Sequence, residues 1–388
     1  MRHPQLALAG AAMALTCLTT EAVLRVAWHP DAESHVIAPD SLCGWALRPG
    51  SRLHSVASDR GLDYHIAINR LGLRDRDRAV QPSPGSERVL FLGDSMVFGA
   101  GVEQGARVTE QLETILGSGV EVVNAGVSGW GTDQEFLWFQ RHGLALQPDV
   151  VVLGLCMVND VVNNLLPHEL FGTAPKPRFE LQGERLVLHL PAPRPAARTS
   201  QAGHPFLKRS RLVHFVGRHV QLLRARYQTP LPHGTRVYYP EDLESDSSHW
   251  AVFRRDYPPR FEAAFRVTES LIAALHDSCA AHGIRLVLFA FPQKVEVDSL
   301  ERAGELAHFG YDPAQFDLQK PYRRIQQLAA HLGVSWLYPL PDWVAVHRRT
   351  PLFFERDGHP DAAGHRLAAQ ELAPILRDEL TQAVSTRR

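Results

Sequence analysis

The chain has 388 residues, of which 45% are hydrophobic and 21% are charged, enough to bury a large core. Its formal net charge at pH 7 is −1, so overall charge gives no reason to expect a nucleic-acid partner. The 4 cysteines are widely scattered, and neither they nor the 20 histidines show a metal-ligand spacing. We therefore predict no nucleic-acid partner, no metal and no cofactor.

Residues 1–27 are predicted to be a signal peptide or a transmembrane anchor. A short basic start precedes residues 4–20, a run of 17 residues without a charged side chain. This pattern is typical of an export signal, and its length is at the lower limit for a membrane span. Cleavage at the small-x-small site ending at Ala22 would release the chain, whereas pairing of Glu21 with Arg25 would suit an uncleaved anchor. Both alternatives predict an exported protein of the periplasm or cell envelope, secreted or membrane-anchored.

Residues 28–85 contain short extended pieces separated by turn residues, and they predict a small β region followed by a linker. From residue 86 to 385, continuous apolar runs alternate with amphipathic helices. The predicted strands include RVLFLG, EVVNAG, DVVVLGL and RLVLFAFP. Runs without polar alternation indicate strands covered on both faces, as in a parallel sheet. The pattern therefore predicts an open α/β domain over 86–385.

An insertion over about 166–259 interrupts this domain, because the strand-helix rhythm stops there and Pro, Arg and His become frequent. Within it, Ser210–Tyr227 has a helical period and many arginines. We interpret it as a helix packed by its apolar stripe. A lid over the active site, or a contact with anionic glycans or lipid head groups, are the alternatives.

Polar residues typical of catalysis follow the predicted strands. Ser95 ends the first strand in the sequence GDS, Gly126 ends the second, and Asn159 follows the third. Asp357 and His359 lie just before the last predicted helix. In an open parallel sheet the carboxyl ends of the strands meet at one edge, where ligands bind. We therefore expect these residues to converge.

Their chemistry is that of acyl transfer. A serine nucleophile needs a base within hydrogen-bonding reach, and the base needs an orienting partner. Ser95, His359 and Asp357 supply those three groups. The tetrahedral oxyanion needs donors, which Gly126 N–H, the Asn159 amide and the Ser95 N–H can provide. A phosphate-binding loop is the weaker interpretation, since GxxxxGK[ST] and GxGxxG are both absent.

At these residues the sequence resembles the SGNH, or GDSL-type, superfamily of esterases and lipases. The four marker residues of that superfamily map in order onto Ser95, Gly126, Asn159 and His359. The resemblance covers roughly residues 86–166 and 260–380. It implies a flavodoxin-like three-layer α/β/α sandwich with a central parallel sheet. It also implies Ser-His-Asp catalysis with an oxyanion hole formed by Ser95, Gly126 and Asn159.

The sequence departs from the superfamily at its acid. The commonest spacing is Asp-x-x-His, whereas Asp357 and His359 are separated by one residue. A DGH version followed by Pro or Leu is similar to a subgroup of exported members. Glu355 and Asp361 are alternative orienting acids, and His365 is an alternative base expected to face away from the site within the last helix.

Several neighbouring residues receive structural interpretations. Asp160 is expected to cap a strand end or to be a buried hydrogen-bonding group, and Gly129 and Gly131 are expected in turns. Trp130 and Trp138 are expected to pack in the interior rather than to stack on a sugar ring. The cysteines are expected to be small buried residues; one disulfide is the alternative, although the sequence singles out no pair.

The sequence thus predicts an exported serine esterase that hydrolyses acyl esters, O-acetyl above all, on cell-envelope or exported polysaccharide. The stretch NRLGLR at residues 69–74 weakly favours the carbohydrate substrate, because exported members with a similar stretch are associated with surface polysaccharide. Transfer of the acyl group to a glycan hydroxyl, and a lipase or lysophospholipase acting on lipid esters, are the alternative activities. A flavodoxin-like binding module without catalysis is the alternative outside enzymes.

Overall fold

The chain divides into two compact units, residues 1–32 with 192–233 and residues 33–191 with 234–388. The computed structural model describes residues 3–27, 35–57, 60–169, 174–191, 210–213, 215–217 and 249–387. Most of the predicted insertion, 166–259, and of the predicted basic helix, Ser210–Tyr227, lies outside the described residues.

The first unit contains helix α1 (His3–Ala27), whose residues 8–19 are all exposed. Its stretch Leu8–Val26 has a mean hydropathy of 1.3 and, among the described residues, is alone in being long and apolar enough to cross a membrane. Signal sequences also have this length and apolar composition. The expected pair between Glu21 and Arg25 is formed, with a Glu21 Oε1 to Arg25 Nε distance of 2.8 Å.

Two antiparallel hairpins begin the second unit. They are β1 (Ile37–Asp40) with β2 (Gly44–Leu47), and β3 (Arg52–Ala57) with β4 (Leu62–Ala67). Every second residue of β4 is buried, as a strand with one covered face requires. Its buried side chains Leu62, Tyr64 and Ile66 form one hydrophobic cluster with Phe98 and Trp130 of the following domain. The extended region predicted from the sequence is therefore packed against the domain that follows it.

The centre of the second unit is a five-stranded parallel sheet in the order β6-β5-β7-β10-β11. Its strands are β5 (Glu87–Gly93), β6 (Val120–Gly126), β7 (Val150–Leu155), β10 (Arg285–Ala290) and β11 (Ser335–Leu337). The central runs 89–92 and 150–153 are completely buried, which explains their lack of polar alternation. A further hairpin, β8 (Arg178–Gln182) with β9 (Arg185–His189), lies in the predicted insertion.

Helices flank this sheet. They are α2 (Ser95–Phe98), α3 (Val108–Leu116), α4 (Thr132–Trp138), α5 (Met157–Asn163), α6 (Pro259–Ala281), α7 (Lys294–Val297), α8 (Ser299–Phe309), α9 (Lys320–Leu332), α10 (Leu340–His347) and α11 (Ala362–Arg387). Helix α3 packs against α11, whereas α6 packs against α4, α5 and α9. The predicted flavodoxin-like sandwich is thereby confirmed. Helix α8 was not predicted from the sequence, and none of its residues is buried.

A buried arginine connects the hairpin region to the loop after α2. The side chain of Arg74 is 1% exposed and donates hydrogen bonds to four carbonyl oxygens. These belong to Phe98 (2.9 Å), Gly99 (2.5 Å), Val102 (2.7 Å) and His65 (2.8 Å). Its guanidinium also lies over the rings of Tyr64 and Phe98, 5.1 and 4.7 Å from their centroids. Arg74 therefore fixes the loop that leaves α2.

Replacing Arg74 by Lys is expected to lower the free energy of unfolding by about 2–4 kcal/mol. A lysine ammonium keeps the charge, but its three donors cannot satisfy four carbonyls that are fixed in space. Denaturant unfolding followed by circular dichroism measures the loss, with the exposed Arg48→Lys as control, expected within about 0.5 kcal/mol of the unchanged protein. Equal stability of both variants would contradict the bonding role of Arg74.

Candidate active site

The sheet topology brings two of the predicted residues together. Ser95 is the first residue of α2, directly after β5, and Asn159 lies in the first turn of α5, after β7. Strands β5 and β7 are neighbours, and the chain order reverses between them. This reversal is the switch point at which open α/β sheets bind ligands. The loop before α11, pinned by a bridge between Phe353 and Pro360, supplies His359.

Ser95, His359 and Asp357 form one hydrogen-bonded line. His359 Nε2 lies 2.8 Å from Ser95 Oγ, and His359 Nδ1 contacts Asp357 Oδ1. The backbone N–H of His359 also donates to Asp357 Oδ1 at 2.9 Å, which holds the acid against the ring despite the short spacing in sequence. A hydroxyl, an imidazole and a carboxylate arranged in this way can transfer a proton from the serine and activate it as a nucleophile.

The charges of this line support each other. Burial alone would raise the pKa of Asp357, but the charge of His359, its hydrogen bond and the guanidinium of Arg60 hold that pKa well below its ordinary value. Burial alone would lower the pKa of His359. The charge and hydrogen bond of Asp357 outweigh this effect and raise the pKa of the imidazole. Asp357 is therefore ionised throughout the neutral range and stabilises the protonated imidazole.

Asp94 connects the two strand ends. Its completely buried carboxylate accepts a hydrogen bond from Met96 N–H at 2.8 Å and another from Asn159 Nδ2 at 2.7 Å. The first bond caps α2 and so fixes the Ser95 backbone, and the second orients the Asn159 amide. Because an amide nitrogen has two hydrogens, Asn159 keeps a second donor besides the one that Asp94 uses. Burial raises the pKa of Asp94, and these bonds oppose that effect.

Gly126 lies where β6 meets α2. A Cβ atom built on it would lie 2.2 Å from Phe98 N, so only glycine allows this approach. Its N–H donates to Asn124 Oδ1 at 3.0 Å, and the predicted oxyanion role would require that bond to break. Gly129 has φ +81° in a turn closed by the Trp130 N–H to Val127 O bond, and its own N–H has no hydrogen-bond partner among the described residues.

The alternative acids, Asp361 and Glu355, and the alternative base, His365, have other partners or are exposed to solvent. Asp361 Oδ1 accepts the N–H groups of residues 363 and 364 and caps α11, while the Glu355 side chain is exposed. His365 is completely buried, and its Nδ1 accepts the Val108 N–H at 3.3 Å. Burial lowers the pKa of His365 to about 3. Of the predicted acids and bases, Asp357 and His359 are thus the pair that the fold directs at Ser95.

The residues beside the site have mainly structural roles. Asp160 Oδ2 accepts the Cys156 N–H at 2.8 Å, as expected of a strand-end cap. Trp130 is completely buried, and its Nε1 donates to Trp45 O at 3.0 Å. Three of the cysteines are buried as expected, whereas Cys17 on α1 is exposed.

Further carboxyl groups lie beneath the site. Burial, together with neighbouring carboxylates, raises the pKa of both Glu135 and Asp160 well above the ordinary range. Asp133 is also buried, and Lys176, itself completely buried, makes an ion pair with it. The interior beneath Asp94 therefore holds several buried carboxyl groups, and electrostatic interactions in such a low-dielectric region are stronger than in water.

Two residues of the site were missed by the sequence analysis. Asp94 belongs to the GDS motif, but nothing in the motif says that its carboxylate joins Asn159 to α2. Arg60 lies just before β4, and its Nε is 2.5 Å from Asp357 Oδ2. No local motif marks Arg60, because its partner is 297 residues away in the chain.

Comparison with known proteins identifies the family of the chain. The model of the GDSL-like lipase/acylhydrolase family matches residues 91–367, more than half of the chain. No curated protein matches.

Solved structures similar to the chain include an acetyl xylan esterase, AlAXEase, at 16% identity, covering 74% of this chain and 99% of that one with a TM-score of 0.37. A catalytic mutant of Axe2, an acetylxylan esterase from Geobacillus stearothermophilus, is 14% identical over 76% of this chain and 95% of its own, with a TM-score of 0.38. A GDSL-like lipase from Bacteroides thetaiotaomicron VPI-5482 is 14% identical over 78% and 92%, with a TM-score of 0.36. By its family match, the chain belongs to the GDSL-like lipase/acylhydrolase family and is an SGNH-type ester hydrolase.

Proposed function

We propose that this protein is a serine esterase that removes acyl groups, O-acetyl above all, through a covalent acyl-enzyme on Ser95. The observation that carries the proposal is the hydrogen-bonded line from Ser95 through His359 to the ionised Asp357. Membership of an acylhydrolase family supports the reaction class.

In the proposed mechanism, His359 Nε2 takes the proton of Ser95 Oγ while the oxygen attacks the ester carbonyl. The resulting imidazolium is stabilised by Asp357, which also keeps the other ring proton on Nδ1. His359 then gives its proton to the leaving alcohol, and the acyl group stays on Ser95. Water, deprotonated by the same imidazole, attacks the acyl-enzyme, and collapse of the second tetrahedral intermediate releases the acid and restores Ser95.

The oxyanion is proposed to bind to backbone and amide donors. Ser95 is the first residue of α2, so its N–H has no intrahelical partner, and Asn159 offers the hydrogen that Asp94 does not use. The glycine segment, residues 126–131, begins at the last residue of β6 and supplies the third donor. Gly126 fills this role once its N–H is released from Asn124 Oδ1. Each such donor is typically worth about 100–1000-fold in rate.

The substrate is proposed to be an acylated carbohydrate of the cell envelope or of an exported polysaccharide. The apolar helix α1 supports export, because it has the length and composition of a signal or an anchor. A lipid ester substrate, or transfer of the acyl group to a glycan hydroxyl, uses the same acyl-enzyme. Turnover of esters of increasing chain length, and the product formed when a glycan acceptor is added, separate these activities.

We further propose that α1 is retained as an anchor rather than cleaved. Within the first unit, the Glu21 carboxylate accepts hydrogen bonds from Ser210 Oγ (2.8 Å), Arg211 N–H (3.0 Å) and Leu212 N–H (2.9 Å). These donors open the helical segment that begins at residue 211. Cleavage at Ala22 would remove Glu21 and leave the first turn of that segment without its cap.

Replacing Ser95 by Ala is expected to lower kcat for 4-nitrophenyl acetate by at least about 10⁴-fold, because the acyl-enzyme can no longer form. The exposed Ser118→Ala, in the turn before β6, is the matched control and should retain full activity. Full turnover by Ser95→Ala would refute the proposed function.

The raised pKa of His359 predicts the pH dependence. His359 must be neutral to act as a base, and its pKa lies above the ordinary 6.5, so kcat/KM should fall on the acidic side of a pH above about 6.5. The Asp357→Asn variant removes the charge that stabilises the imidazolium. The acidic limb of the pH profile of kcat/KM should therefore move to lower pH, and kcat should drop. An exposed control, His331→Gln on α9, should leave the limb in place. A limb that does not respond to Asp357→Asn would argue against this assignment of the base.

Retention of α1 predicts the mass of the mature protein. When the gene is expressed with its own N-terminus, the protein recovered from the membrane fraction should contain residues 3–27. Intact mass spectrometry measures this, and extraction at alkaline pH should not release the protein. A mature chain that starts after Ala22 would show that α1 is a cleaved signal.

A further inference from the structure

The two oxygens of Asp357 have different partners. Oδ1 accepts both the Nδ1–H and the backbone N–H of His359. Oδ2 instead accepts Arg60 Nε at 2.5 Å, and Arg60 Nη2 contacts the same oxygen. The hairpin formed by β3 and β4 therefore reaches into the line of residues that activates Ser95.

We propose that Arg60 is a positioning residue that acts through Asp357 and sets the pH range in which His359 is a free base. This inference rests on the proposed esterase function. Arg60 holds the carboxylate by the oxygen that His359 does not use, so the carboxylate cannot rotate away from the imidazole. Its positive charge also offsets part of the negative charge that Asp357 presents to the ring.

The charges around His359 make this balance explicit. Asp357 and Asp94 both favour the protonated imidazole, whereas Arg60 and the burial of the ring disfavour it. His365 of α11 is a further titratable neighbour, and its low pKa keeps it neutral over the working range. Arg60 therefore lowers the pKa of His359, while it also keeps Asp357 ionised. Without it, the base would remain protonated up to a higher pH.

The exposure of the ion pair between Arg60 and Asp357 indicates that it affects catalysis more than the stability of the fold. The Arg60 side chain is 44% exposed, whereas that of Asp357 is 4% exposed. Ion pairs with an exposed partner contribute little to stability because water screens them. The melting temperature of a variant without the charge should fall by no more than roughly 3 °C.

The test compares the pH dependence of kcat/KM in the full-length protein, in Arg60→Gln and in Arg60→Lys. In Arg60→Gln the acidic limb should move up by roughly half a pH unit or more, because an opposing charge near the imidazole is lost. At pH 7 its kcat should fall several-fold, with little change in KM. Arg60→Lys keeps the charge and should keep the limb in place, although it loses the two-pronged contact. Arg70→Gln, whose side chain is 83% exposed, is the control for removal of a surface charge.

A titration of the His359 imidazole by NMR gives the same information without turnover. Its signal is identified by its loss in His359→Gln, and in Arg60→Gln its pKa should rise relative to the unchanged protein. An unchanged pKa and an unchanged limb in Arg60→Gln, or an equal shift in Arg60→Lys, would overturn the inference. If Ser95 proves unnecessary for activity, the proposed function fails, and the NMR titration still decides the role of Arg60.

Discussion

A single buried carboxylate, that of Asp94, joins the two strand ends on which the active site is built. It caps α2, which fixes the backbone of Ser95, and it holds the Asn159 amide beside that helix. The Asp94 carboxylate is completely buried, where each hydrogen bond is strong, and the loss of either donor would leave a buried carboxylate with one hydrogen bond fewer. The distance between nucleophile and amide donor is thus set by the sheet rather than by flexible loops.

The hairpins before the sheet complete this arrangement. Arg74 binds the carbonyl oxygens of the loop after α2, Trp45 Nε1 donates to Ser128 O in the glycine segment, and Arg60 contacts Asp357. Each of the three loops that carry the site therefore has one side chain from residues 35–80 attached to it. A region that reads as an appendage in the sequence is, in the folded chain, a support for the nucleophile, the glycine segment and the acid.

The sequence predicted what depends on local pattern and residue type. Fully buried strands such as β5 and β7 are recognisable because both faces are apolar, and Ser95, His359 and Asp357 stand out by their chemistry at the strand ends. Arg60 could not be predicted, since its role depends on a contact across 297 positions of the chain.

Gly126 marks a second limit of the sequence analysis. Its place in the sequence suits an oxyanion donor, yet the folded backbone directs its N–H to Asn124 and brings Phe98 against its Cα. Which way a strand-end amide points depends on tertiary packing. Residue type and spacing alone do not contain that information.

The most direct test of the acyl-enzyme mechanism is to trap the covalent intermediate on Ser95. The full-length protein is mixed with 4-nitrophenyl acetate, quenched in acid within milliseconds and digested, and the peptides are examined by mass spectrometry. We expect an acetyl group on Ser95 that accumulates before steady state and disappears as the substrate is consumed. Turnover without any acetylated Ser95 would contradict it, because the line from Asp357 through His359 would then serve no nucleophile.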